Sequence, residues 1–182
     1  MDRWVLPTCW EADGRAFPHK TDYRQILKLM ALLSDGERPA HLRWLTALAY
    51  FYEGPIPPGL EGEAMEYLSA FLTCGDTGTP GPKLLDWQVD APEIIADINA
   101  VAGREVRAEP YLHWWSFLSF FHGIKEGRLS ALVAIRDKLR RGKKLEPQER
   151  EFYLRNKEKV RLRPAESPAD AAHRKQLEDL LK

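Results

Sequence analysis

Residues Tyr111-Leu112-His113-Trp114-Trp115-Ser116-Phe117 run on into Leu118-Ser119-Phe120-Phe121-His122-Gly123 and place two of the chain's six tryptophans side by side. The segment is apolar nearly all the way round, and a helix apolar on every side is buried on every side. The stretch therefore predicts a helix over about 110–122 that serves as the central rod of the fold. Aromatic groups this large form cores more often than binding surfaces. Leu112, His113, Trp114, Trp115 and Phe117 are accordingly expected to be a core fingerprint and not a reactive site.

A chain of 182 residues is long enough to bury a sizeable core as one domain. No apolar run approaches the roughly 18 residues that cross a bilayer, so no membrane partner is expected. The opening Met1-Asp2-Arg3-Trp4-Val5-Leu6-Pro7 lacks the basic start and apolar stretch of a signal peptide. Cys9 and Cys74 match no metal or redox spacing and read as reduced thiols of a cytoplasmic protein.

Only the first twenty residues read as strand. Trp4-Val5-Leu6, Trp10-Glu11-Ala12 and Arg15-Ala16-Phe17 fit a small ribbon, with Asp13-Gly14 supplying the positive backbone angles of a hairpin turn. Beyond Pro18 the apolar spacing becomes helical. Thr21 is expected to cap a first helix from Asp22. Further helices are expected over Pro39–Tyr52, Glu61–Cys74, about 90–102, about 110–122, Leu129–Arg141 and Pro147–Leu162. Asp90-Ala91-Pro92-Glu93 has the form of a capping box, and Gly75 to Pro82 that of a mobile loop. The expected fold is mainly α: a ribbon over 1–20, a helical domain of six to seven helices over 21–163, and a polar helical or frayed tail over 164–182.

Formal charge is zero overall, yet from Arg136 to Arg163 twelve Lys and Arg face five Asp and Glu. Such asymmetry fits a solvated face, self-association, or an acidic or nucleic-acid partner. Arg136, Arg140, Arg141, Lys143 and Lys144 are the candidate partner-binding residues. The turn that follows them imitates a helix-turn-helix, but the next helix opens Glu146-Pro147-Gln148-Glu149-Arg150-Glu151. Carboxylates there would repel phosphate where a recognition helix meets the groove, which argues against nucleic acid.

No catalytic set emerges. His113 and His122 are nine residues apart, two and a half helical turns, so they leave a helix on opposite sides and cannot share a metal. His19 and His41 have no Cys or carboxylate in ligand register. Asp90, Glu93 and Asp97 read as helix-start charge before acid–base machinery. Gly75 to Gly81 lacks the Gly-Lys-Ser/Thr ending of a phosphate loop, and no nucleophile elbow occurs. The expectation is a protein that is no enzyme, with no cofactor and no metal.

The order of several short motifs resembles the bacteriophage gene-product-fifteen family of siphovirus-type phages and prophages. Asp13-Gly14-Arg15-Ala16-Phe17-Pro18 and Thr21-Asp22-Tyr23-Arg24 come first. Trp87-Gln88-Val89-Asp90-Ala91-Pro92-Glu93-Ile94-Ile95 follows, then Leu112 to Phe117 as the most specific match. Gly123-Ile124, Ile135-Arg136 and the stretch Glu149 to Lys159 complete the series. The resemblance spans about residues 4–162. Ser116 departs from it, standing where the family often has a basic residue, and the segment beyond Pro164 has no counterpart.

The resemblance implies a tail assembly chaperone of the host bacterial cytoplasm. Such a protein coats the tape-measure protein, helps recruit tail-tube subunits, and is absent from the finished particle; longer forms made by frameshifting are a further implication. The alternatives are a morphogenesis protein retained in the virion and, behind it, a DNA-binding regulator.

Overall fold

The computed structural model describes residues 2, 4–76, 78–79 and 81–162. Among these the chain is mainly α, with eight helices and one antiparallel hairpin. Strands β1 (Cys9–Ala12) and β2 (Arg15–Pro18) pair from Ala12 opposite Arg15 to Cys9 opposite Pro18. Asp13 and Gly14 turn between them with φ of 49° and 69°, the paired positive angles a two-residue hairpin turn requires. Trp4-Val5-Leu6, expected in the ribbon, is not strand. The last rung is the His19 N–H on the Thr8 carbonyl, at 3.2 Å. Beyond it no partner strand remains, and Trp4 stands 96% exposed.

The chain divides into two compact units, Met1–Gly81 with Ile95–Ile124, and Pro82–Ile94 with Lys125–Lys182. The helical stretch 21–163 contributes to both. The tail anticipated over 164–182 lies outside the described residues.

In the first unit, α1 (Tyr23–Leu33) is capped by Asp22, whose carboxylate accepts the Arg24 N–H, and not by Thr21. Thr21 is engaged elsewhere, its hydroxyl 2.8 Å from that of Tyr111. Helix α2 (Ala40–Phe51) starts behind Pro39 and stops where Tyr52 turns extended to bridge with His19. Helix α3 (Glu61–Leu72) buries Ala64, Leu68 and Phe71, the i, i+4, i+7 stripe of a half-buried helix. Its end is closed by the Gly75 N–H on the Ala70 carbonyl, with Gly75 left-handed at φ 71°. Helix α4 spans Ala91–Ala102, its first turn counting with the second unit. Helix α5 (Trp114–His122) begins later than the sequence pattern predicts, because His113 is extended and serves as its cap. Trp10 joins the ribbon to this body, its ring centroid 5.1 Å from that of Phe17 and 5.7 Å from that of Tyr52.

In the second unit, α6 (Arg128–Arg140) starts at Gly127, whose N–H binds the Ser130 hydroxyl. Gly142, at φ 65°, reverses the chain after it, and the Lys143 N–H returns to the Lys138 carbonyl. The helix expected over Pro147–Leu162 is two helices, α7 (Pro147–Arg155) and α8 (Lys157–Val160). Asn156 departs from helical angles (φ −127°, ψ 36°) and breaks it. Leu132, Ile135 and Val160 form the core here, with Leu145 and Tyr153 against it. Helix α7 buries none of its residues fully.

Candidate functional site

Two of the quoted motifs meet in the first unit and form one joint. The Asp22 carboxylate caps α1 through one oxygen and accepts the Leu112 N–H through the other, at 3.1 Å. The Thr21 carbonyl accepts the Trp114 N–H at 2.7 Å. The Tyr23 ring lies flat on Phe117, centroids 4.4 Å apart. The Arg24 guanidinium donates to the Glu109 carbonyl at 2.6 Å and to that of Arg107 at 3.2 Å. Thr21-Asp22-Tyr23-Arg24 is thus the complement of the aromatic segment.

The aromatic segment has a second partner. The indole N–H groups of Trp114 and Trp115 donate to the carbonyls of Leu72 and Phe71, at 3.1 and 2.9 Å. Those carbonyls belong to the last turn of α3, where the helix's own donors run out, and that of Phe71 also accepts the Cys74 N–H at 3.3 Å. The tryptophans therefore cap a helix end while filling the core. Leu112, His113, Trp114, Trp115 and Phe117 are all buried. The outer end of α5 is less so, with Ser119 and His122 exposed.

Among the described residues two histidines are buried, His19 and His113, and each has defined partners. His113 Nδ1 accepts the Trp115 N–H at 3.0 Å, and Nε2 lies 3.0 Å from the Pro7 carbonyl. His19 stacks on Phe51 at 4.5 Å, with its ring nitrogens near the Tyr67 hydroxyl and the Lys20 carbonyl. Burial pushes the His19 pKa down to about 4 from 6.5 and lowers that of His113 as well. In the unfolded chain these imidazoles take up protons that the folded core excludes. The stability they permit is full above about pH 6.5 and is lost progressively as pH falls toward 4. The melting temperature is expected to fall across that window, and to fall less steeply in His19→Gln. Equal slopes for the two proteins would contradict this.

The second unit holds the other joint. Arg136, one of the five candidate partner-binding residues, is buried and cannot reach a partner. Its guanidinium forms a two-pronged pair with Asp90, at 2.6 and 2.8 Å. It donates further to the carbonyls of Leu84, Lys159 and Val160. The side chains of Arg136 and Asp90 are 3% and 0% exposed. A guanidinium satisfied on every side keeps its charge in the interior, where a lone charge is costly. Glu93 adds a contact to Lys159 in the same place, and its second oxygen is buried without a partner. The capping box expected of Asp90-Ala91-Pro92-Glu93 is not formed: the Asp90 N–H goes to the Asp86 carbonyl, and the two carboxylates serve Arg136 and Lys159 instead.

Arg140, Arg141, Lys143 and Lys144 are exposed. The first two converge on Asp137, at 3.0 and 2.8 Å, and the Arg140 hydrogen bond leads the effects that hold the Asp137 carboxyl below its ordinary range. Lys138 grips Glu149 at 2.6 Å. Lys143 and Lys144 make no ion pair among the described residues. Their charge is unspent, which pattern reading of the basic run does not reveal.

Elsewhere, Asp13, Arg15, Phe17, Pro57, Pro58 and Leu60 line a cleft of about 440 Å³ beside the hairpin turn. The lining holds no nucleophile paired with a base. Among the described residues no three His, Cys, Asp or Glu are placed to hold a metal ion, and Cys9 and Cys74 are both half-buried. No helix among the described residues is long and apolar enough to cross a membrane. Compared with protein-family models, curated proteins and solved structures, the chain matches none.

Proposed function

We propose that this chain is a non-enzymatic tail assembly chaperone of a siphovirus-type phage or prophage, acting in the bacterial cytoplasm. Its client is the tape-measure protein, around which it helps recruit tail-tube subunits. The observation that carries the reading is the ordered series of motifs from Asp13-Gly14 to Lys159. Support comes from what those residues do. Thr21 to Arg24 joins Leu112 to Phe117, and Asp90 and Glu93 join Arg136 and Lys159. Motifs far apart in sequence depend on one another, so a chain carrying the series has reason to carry the fold.

A chaperone of a helical client needs apolar surface to offer it. Leu42 and Leu45 stand three residues apart on one side of α2, 45% and 55% exposed. Replacing both with Ser is expected to weaken capture of a tape-measure fragment at least about tenfold, the scale of a lost interface anchor. Titration of the fragment against both proteins checks this, and equal affinity removes α2 from the contact.

The experiment that separates this function from a structural role in the particle is quantitative detection of the chain in infected-cell lysate and in purified virions. A chaperone is abundant in the lysate, bound to tape measure, and missing from virions. A fixed copy number in virions refutes the proposal and favours a retained component.

A further inference from the structure

Between Trp44 and Pro82 the chain contains no Lys or Arg and five carboxylates, Glu53, Glu61, Glu63, Glu66 and Asp76. They fall on α3 and the segments flanking it in the first unit. Glu53, Glu63, Glu66 and Asp76 are exposed and Glu61 is half-buried. None makes an ion pair among the described residues; Glu61 and Asp76 bind only the neighbouring backbone N–H groups of Gly59 and Gly78. Glu63 and Glu66, at i and i+3, share one side of α3.

The second unit carries the counterpart. Once Arg136, Lys138, Arg140, Arg141, Arg155 and Lys159 have met their internal carboxylates, five described cations remain on the turn after α6, on α7 and at α8. These are Lys143, Lys144, Arg150, Lys157 and Arg161, all exposed and without an ion pair among the described residues. Among the described residues the α3 stretch thus carries five carboxylates without an ion pair, and the stretch from the turn after α6 to α8 carries five cations without one.

We infer that the partner of the α6–α8 surface is a second copy of this chain, presenting its α3 surface. The contact joins unlike faces, so it is heterologous: each added copy brings a further acidic and a further basic face, and copies add head to tail, into a ring or an open chain. Complementary potentials of this kind set register and speed encounter, and salt weakens them. The inference stands apart from the client, because it concerns contacts between copies and needs no tape measure.

The test is sedimentation of the purified full chain over a range of concentrations, at about 20 mM and about 0.5 M salt. Wild type is expected to grow in mass with concentration at low salt and to return to monomer at high salt. Lys143→Glu with Lys144→Glu, and separately Glu63→Lys with Glu66→Lys, are each expected to remain monomeric at low salt. An equimolar mixture of these two variants restores both attractive faces and is expected to regain mass. That recovery cannot come from misfolded protein. A wild type that stays monomeric at low salt overturns the inference, and so does a mixture that stays monomeric while its components keep the wild-type circular dichroism. Growth that persists unchanged at high salt also overturns it, since apolar contacts would then hold the copies together.

Discussion

Arg136→Ala is expected to cost about 3–5 kcal/mol, because it strips the partner from a buried carboxylate. Asp90 would be left without its counter-charge on a side chain 0% exposed, and the carbonyls of Leu84, Lys159 and Val160 would lose the donor they share. Urea unfolding measures the loss, and hydrogen exchange across α6 and α8 locates it. Arg136→Lys should recover only part of the stability, since an ammonium cannot reproduce the two-pronged grip on Asp90. Removing both charges, with Arg136→Met and Asp90→Leu, should lose less than Arg136→Ala alone, because a buried pair costs most when halved. A wild-type midpoint for Arg136→Ala would show that the clasp is not needed.

Trp114→Ala is the second large effect, expected at about 3–5 kcal/mol for a fully buried tryptophan. The side chain is 1% exposed, its ring stacks on Phe117 at a centroid distance of 5.7 Å, and its indole closes the end of α3 through the Leu72 carbonyl. Trp114→Phe refills most of the space and leaves that carbonyl without the indole, so it should lose less, about 1–3 kcal/mol. Thermal and urea melts of the pair read both numbers. If Trp114→Ala melted like wild type, the aromatic segment would not be organising the core, and its tryptophans would become candidates for client contact.

The aromatic helix, the hairpin turn at Asp13-Gly14 and the positions of most helices follow from patterns local enough to read directly. An all-apolar face, a Gly with positive φ and a Pro at a helix start each act within a few residues. What the sequence concealed depends on side chains meeting across long separations. By sequence Arg136 is one more cation in a basic run, and only Asp90, forty-six residues away, makes it a buried one. Asp22 caps α1 where Thr21 is expected to, and nothing local shows that it also fastens Leu112, ninety residues on. The aromatic helix starts later than its apolar run predicts because Leu112 and His113 are engaged with that partner in extended form. The break at Asn156 lies in a run that periodicity alone reads as one helix, and it brings the Lys159 and Val160 carbonyls to Arg136.

The same distinction governs the candidate surface. Cation counts mark the region from Arg136 to Arg163, but pairing decides which charges are available. Arg140 and Arg141 share Asp137, Lys138 takes Glu149, and only then do Lys143 and Lys144 stand out. On the acidic side the lack of any Lys or Arg between Trp44 and Pro82 is plain in the sequence. Its weight comes from those carboxylates lying at the surface without an ion pair among the described residues.

Co-expression of the chain with the tape-measure protein of the same genome tests the proposed function most directly. The proposal predicts a tape measure kept soluble and purified in a stable complex with this chain. An insoluble tape measure, with the chain itself folded and alone in the supernatant, would contradict it.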